Sequence, residues 1–227
     1  MKLFRLSVAL LVVSMVGFIG LSTFCPVHAE ETPGIESMKT PEEIQAFRLA
    51  YIENFHRTGL NTTLGDARFL RILVASAGSK RGIEVGSASG FGAINMGMAF
   101  ERNGGKLITV DIDARMVVLT REHIQKIGLE KSVEAVEGDA LKVLPALEGE
   151  FDFIFIDAQK QDYLKYYKAI ESKMKPGSLI VADNVIQSAD AMQDFLSYME
   201  KSPDYDMQIV RSSMDKNDGM AVIYKLK

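Results

Sequence analysis

From Arg81 onward, short β-rich runs alternate with segments of helical period, and this alternation restricts the fold more than any other feature of the chain. Alternation of this kind builds βαβ units, which lay their strands parallel and cover both faces of the sheet with helices. Strands are expected at 82–86, 106–111, 133–137, 151–157 and 178–183. Helices are expected over about 91–103, 115–127, 140–147, 161–174 and 189–200, with Gly128 closing the second and Pro176-Gly177 following the fourth. Two more runs, 205–212 and 219–226, are joined by the turn-like DKND at 215–218. So short a connection requires antiparallel pairing. The expected fold is α/β and Rossmann-like: a seven-stranded, mostly parallel sheet with an antiparallel C-terminal hairpin and added N-terminal helices.

A chain of 227 residues suits one well-buried domain rather than two. Ahead of the sheet, Thr40-Pro41-Glu42-Glu43 has the form of a helix start, with Thr40 as N-cap and acids in the first turn. That helix is expected to run to about Arg57 before Gly59, with Ile44, Phe47, Leu49, Tyr51, Ile52 and Phe55 as its apolar stripe. A second is expected over 66–77 with Phe69, Leu70, Leu73 and Val74 inward. Further upstream, Lys2 and Arg5 precede an apolar stretch from Leu6 to Phe24, followed by Val27-His28-Ala29. This reads as an export signal over 1–29, with an uncleaved membrane anchor through 6–24 as the alternative. Bulky Phe24 before Cys25 disfavours lipidation. Residues 30–40, with Pro33 and Gly34, read as a linker, leaving 41–227 as the folded domain. The expected location is therefore exported, with membrane contact only if the leader stays attached.

Composition removes several chemistries. Net charge is −4 and no Lys/Arg-rich run follows the leader, which argues against a nucleic-acid partner. Cys25 is the only cysteine, so zinc-finger, cysteine-protease and thiol-redox functions fall. His56 and His123 have no partner at metal spacing and read as surface residues on helices.

Two apolar runs end in acids: FDFIFIDAQK (151–160) at Asp157, and SLIVADNV (178–185) at Asp183-Asn184. In an open parallel sheet, ligands bind beyond the carboxyl ends of the strands. Three hard oxygen donors converging there suit magnesium, calcium or manganese better than zinc. Taken singly, Asp157 could instead cap the helix near Gln161, and Asp183-Asn184 could form an Asx-turn. The glycine loop EVGSASGFG (84–92) follows the first strand. Gly86 and Gly90 allow a tight turn into a helix N-terminus, whether to approach a ligand or merely to pack. A dinucleotide fold would show G-x-G-x-x-G; here Glu84 precedes the turn and would oppose a pyrophosphate. An acid there suits the sulfonium and amine of S-adenosylmethionine. Asp111, ending LITVDID, can accept from two ribose hydroxyls, helix capping being more natural for Asp113. In EGDALKVLP, Asp139 and the backbone of Ala140 face the adenine edge, unless Asp139 only caps the next helix.

EVGSASGFG, TVDID, GDALKVLP, FIDAQKQDY and LIVADNVI, in this order and spacing, resemble the cation-dependent O-methyltransferases typified by catechol and caffeoyl-CoA O-methyltransferases. LGDAR (64–68) and VADNVI (181–186) are especially specific, and the resemblance covers about 59–227. It implies a class I methyltransferase fold, S-adenosylmethionine as donor and a divalent cation, usually magnesium. It assigns the metal to Asp157, Asp183 and Asn184, and the catalytic base to Lys160. Donor contacts fall on Leu64, Glu84, Gly86, Ser87, Gly90, Gly92, Asp111, Ile112, Asp139, Ala140 and Asp157. The implied reaction is methyl transfer to a catechol-like or other vicinal dihydroxy acceptor, a small hydroxylated molecule, by a chain compatible with a homodimer. Departures concern the acceptor. The chain has no tryptophan, Ala158 and Gln159 replace a bulky pair between metal ligand and base, and Ser212 stands where the catechol enzyme has an acid. A more open pocket follows. Met38, Tyr51, Phe55, Leu60 and Met214 could line it or simply pack in the core. An exported S-adenosylmethionine-binding protein without turnover is the alternative from another class. A nicotinamide-dependent oxidoreductase is disfavoured by the loop spacing.

Overall fold

A computed structural model describes residues 34–227; the expected leader lies outside the described residues. Seven strands form one sheet: β1 (Arg81–Val85), β2 (Lys106–Asp111), β3 (Val133–Glu137), β4 (Phe151–Ile156), β5 (Met174–Ala182), β6 (Tyr205–Val210) and β7 (Met220–Lys225). Their order is β3-β2-β1-β4-β5-β7-β6. Pairing is parallel from β3 through β5, with Ile83 in register with both Ile108 and Ile154. β7 runs antiparallel to β5 and to β6. This is the expected sheet, with its topological switch between β1 and β4, where a ligand crevice opens.

β4 shows why the sheet lies in the middle of the molecule. Phe153 and Phe155 pack on one side with Leu70, Val74, Phe91 and Phe100, while Ile154 and Ile156 pack on the other with Tyr163, Tyr167 and Phe195. Alternate residues of a strand point to opposite faces, so an unbroken apolar run such as FIFI at 153–156 fits only a strand covered on both. Burial of each of these side chains contributes about 1.5–3 kcal/mol.

Seven helices cover the sheet: α1 (Pro41–Glu53), α2 (Leu64–Ala77), α3 (Phe91–Asn103), α4 (Ala114–Lys126), α5 (Ala140–Ala146), α6 (Tyr163–Ile170) and α7 (Gln193–Lys201). α1 starts at the expected N-cap, Thr40, which forms a capping box: the Thr40 hydroxyl accepts from Glu43 N at 3.2 Å and the Glu43 carboxylate accepts from Thr40 N at 3.1 Å. It ends four residues earlier than expected, because the Asn54 side chain donates to Ala50 O and occupies a terminal carbonyl. Leu49, expected inward, is turned to solvent. Arg48 takes the buried position instead, donating to Ile127 O and Gly128 O and pairing with Glu101.

The expected helix over 161–174 is divided. 3-10 turns at Lys160–Asp162 and Glu171–Lys173 flank α6, and β5 already begins at Met174. Pro176-Gly177 therefore lies inside a strand rather than before one. A register irregularity between Phe151 and Phe153 absorbs it, and the Ser178 hydroxyl donates to Phe151 O. Within the expected linker, Ile35–Ser37 forms a 3-10 turn. Among the described residues no helix is long and apolar enough to cross a membrane.

Candidate active site at the carboxyl ends of the strands

A cleft of about 970 Å³ opens beyond β1, β2, β4 and β5. Gly86, Asp111, Ile112, Asp139, Ala140, Asp157, Lys160, Asp183 and Asn184 line it, so most of the residues singled out from the sequence come together here. Leu64, Glu84, Ser87, Gly90 and Gly92 do not line it.

One half of the cleft is shaped by the glycine loop. Gly86 has φ +94°, and a Cβ there would lie 2.1 Å from Asp157 O, so only glycine lets the ends of β1 and β4 meet. Ala88 is left-handed with φ 44°. That conformation is held by Asp111, whose Oδ2 accepts from Ser87 N at 3.0 Å and Ala88 N at 2.9 Å, and by Thr120, whose hydroxyl donates to Ala88 O. Asp111 thus both faces the cleft and organises the loop. Asp113 caps α4 through Arg115 N, as expected. Asp139 caps α5 through Leu141 N while also facing the cleft, so its two readings hold together.

Glu84 lies below the glycine loop. Its carboxylate is turned beneath Gly92, where an added Cβ would lie 2.3 Å from Oε1, and it accepts from the Thr109 hydroxyl at 2.5 Å. Strand alternation directs it to the α3 side of the sheet. Burial pushes its pKa up to about 8, aided by Asp157 and Asp111 and opposed by the Thr109 bond. Near neutral pH it is mostly uncharged.

The other half is built from charges. Asp157 does not cap a helix: its Oδ1 accepts from Lys160 Nζ at 2.7 Å. Lys160 also donates to the Tyr163 hydroxyl at 2.9 Å, which donates to Asp183 O at 3.2 Å. Burial, with Asp157 and Asp183 nearby, holds the Tyr163 hydroxyl far above its ordinary pKa, so it stays a donor. Asp183 is 2% exposed, and its Oδ1 accepts from Asn184 N, the next residue, at 2.7 Å. Burial and the neighbouring Asp157 carboxylate push Asp183 up to about 6, against the opposing pull of Lys216. Asn184 is left-handed with φ 59°, and its Nδ2 donates to Asp218 Oδ2 at 3.1 Å. That bond orients the amide and leaves its carbonyl oxygen as the free ligand atom. Two neighbouring carboxylates beside a fixed amide oxygen are a donor set suited to a hard divalent cation. Among the described residues no group of three His, Cys, Asp or Glu side chains converges on a metal position.

Four residues of this half carried no functional expectation. Lys216 Nζ contacts both Asp183 oxygens, at 2.6 and 2.7 Å, and Asp66 Oδ2 at 2.8 Å. Burial opposes the Lys216 charge, but Asp183 and Asp66 raise its pKa overall. Asp66 is fully buried and also accepts from the Ser212 and Thr63 hydroxyls. Asp218 accepts from Ile186 N, Gln187 N and Gly219 N, and Tyr163 links Lys160 to β5. A signal for Asp66 existed: it stands at i−4 from Leu70 and i−8 from Val74, an acid on the apolar stripe of α2. Lys216 and Asp218 lay in a segment legible only as a turn.

The aromatic expectations divide. Leu60 lines the cleft, and Met214 is fully exposed. Tyr51 and Phe55 pack on His123, whose Nδ1 is 2.5 Å from the Tyr51 hydroxyl, so His123 is a half-buried partner rather than a surface residue. Burial lowers its pKa.

Comparison with known proteins agrees with this architecture. The sequence pattern of the O-methyltransferase family matches residues 36–226. A catechol O-methyltransferase of Niastella koreensis is 33% identical over 139 residues, which cover 60% of this chain and 62% of that one. Caffeoyl-CoA O-methyltransferase 2 of Populus trichocarpa is 30% identical over 188 residues, covering 74% of this chain and 76% of the relative. The crystal structure of the O-methyltransferase from Bacillus cereus in complex with SAH shares the fold, with a TM-score of 0.67 at 22% identity over 81% of this chain and 89% of that one. The family resemblance carried by the motifs therefore holds along nearly all the described residues, and the protein belongs to the O-methyltransferase family, among S-adenosylmethionine-dependent enzymes of the catechol and caffeoyl-CoA type.

Proposed function

We propose that the protein transfers the methyl group of S-adenosylmethionine to one hydroxyl of a catechol-like or other vicinal dihydroxy acceptor, assisted by a divalent cation at Asp157, Asp183 and Asn184. The observation that carries this is the placement of the half-buried Asp157 carboxylate and the buried Asp183 carboxylate, the latter raised to about 6 by burial and by the former, beside an amide whose nitrogen is already tied to Asp218. A divalent cation held there would supply the positive charge that acidifies an adjacent hydroxyl.

The chain's own residues divide the remaining work. Asp111 and Asp139 present carboxylates to the ribose and adenine of the donor, and Gly86 lets the backbone approach it closely. Lys160, as the neutral amine, accepts the hydroxyl proton at Nζ; Tyr163 and Asp157 hold that nitrogen in place. The acceptor oxygen then displaces the sulfonium methyl in line, the C–O bond forming as the C–S bond breaks. Holding both partners in one cleft supplies much of the acceleration. Ala158 and Gln159 leave the acceptor side broad, which favours acceptors larger than a bare catechol ring. The proposal includes export through residues 1–29, read out by the N-terminus of the mature protein.

The test is methyl transfer from labelled donor to a panel of catechols and flavonoid-like acceptors, with magnesium or with EDTA, for the wild type and Asp157→Ala. Transfer that disappears on chelation and in the variant supports the proposal. Transfer that survives both overturns the cation-assisted mechanism, and donor binding without transfer to any acceptor favours a binding protein.

A further inference from the structure

We propose that Lys216 is a built-in counter-cation of the acceptor half, held on Asp183 until a divalent ion displaces it and retained nearby by Asp66; this rests on the cation seat proposed above.

Lys216 belongs to the β6–β7 loop, and its ammonium lines the cleft. An ammonium has three N–H donors, and here three carboxylate oxygens receive them: both oxygens of Asp183 and Oδ2 of Asp66. A hard cation bound through Asp183 needs lone pairs of those same two oxygens. Ammonium and divalent ion are therefore alternatives at Asp183.

The geometry also separates this arrangement from an ordinary surface ion pair. The Lys216 side chain is 17% exposed and its partners 0% and 3%. With Lys216 gone and nothing in its place, two buried carboxylates lose their counter-charge, which is strongly unfavourable. Asp66 is fixed independently, by the Thr63 hydroxyl at 2.8 Å and the Ser212 hydroxyl at 2.5 Å. It therefore keeps hold of the ammonium after Asp183 has released it, and the loop swings about Asp66. A seat that is competent only when Lys216 has withdrawn binds its ion more weakly, in proportion to the competent fraction.

The experiment is calorimetric titration with Mn²⁺, together with thermal unfolding with and without Mn²⁺, on the full chain as wild type, Lys216→Met and Lys216→Gln. Both variants are expected to bind Mn²⁺ about ten-fold or more tightly than the wild type. They are also expected to unfold at lower temperature without the ion and to recover more of their stability when it is added. Lys216→Gln carries the measurement if the methionine variant fails to fold. Measurable Mn²⁺ binding of equal or lower affinity in the variants overturns the displacement and leaves the cation seat standing. Absence of Mn²⁺ binding in all three proteins overturns both.

Discussion

The two halves of the cleft are organised by different physics. On the β1–β2 side, the glycine loop is held by backbone donors to a single acid, Asp111, and the one buried acid, Glu84, is pushed towards neutrality. On the β4–β5 side, Asp157, Asp183 and Asp66 are held by Lys160 and Lys216, with Asp66 and Ser212 brought together across 146 residues of chain. The first half is preorganised by hydrogen bonds that need no ion. The second is a balance of opposed charges, and its state depends on which cation is present.

The largest expected effect tests whether the halves are separable. Asp183→Ala should lower kcat/KM by about 10³-fold or more, roughly 4 kcal/mol, while calorimetric affinity for S-adenosylmethionine changes by less than about three-fold. Loss of donor binding in that variant would merge the halves. Gly86→Ala addresses the point where they touch, since its Cβ would meet Asp157 O at 2.1 Å with φ +94°. It should cost about 3 kcal/mol or more in chemical denaturation and impair both donor and cation binding. Asp111→Ala should weaken donor affinity about 10- to 100-fold and leave Mn²⁺ affinity unchanged, the mirror image of the first variant.

Glu84 gives the most specific signal. Its pKa rises from 4.5 to about 8 on folding, so between those values the folded state keeps a proton that the unfolded state has lost. Stability present below pH 4.5 should therefore be lost as pH rises towards 8, by about 1.4 kcal/mol per unit. Glu84→Gln should flatten that slope in denaturation curves recorded from pH 5 to 8. An unchanged slope would mean that the acid is not confined beneath Gly92.

The halves also differ in how legible they were in the sequence. EVGSASGFG, TVDID and GDALKVLP each carry their geometry locally, so β1–β3 and the loops after them were readable within a few residues. Glu84 was visible as an acid before the turn, but its burial beneath Gly92 and its bond to Thr109 depend on α3 and β2 and were not. Asp157 and Asp183 were visible because apolar runs stop at them. Lys216 acquires meaning only once the β6–β7 loop and α2 bring it between Asp183 and Asp66, and no periodicity in DKND announces that contact. The early end of α1 turned on one Asn54 side chain, a competition between cap and helix that propensity does not resolve. Expectations for residues 1–29 concern a segment outside the described residues.

The place of β7 between β5 and β6 has a consequence for biogenesis. A chain emerging amino end first completes β1 to β5 while the outer edge of β5 still has no neighbour, and β6 is made before the strand it pairs with exists. Only when Met220–Lys225 arrives does the sheet close and does Asp218 reach Asn184. Until then the nascent protein carries a long apolar strand edge that invites intermolecular pairing, so its most aggregation-prone moment falls late in synthesis. The Asn184–Asp218 contact is among the last features of the molecule to be assembled.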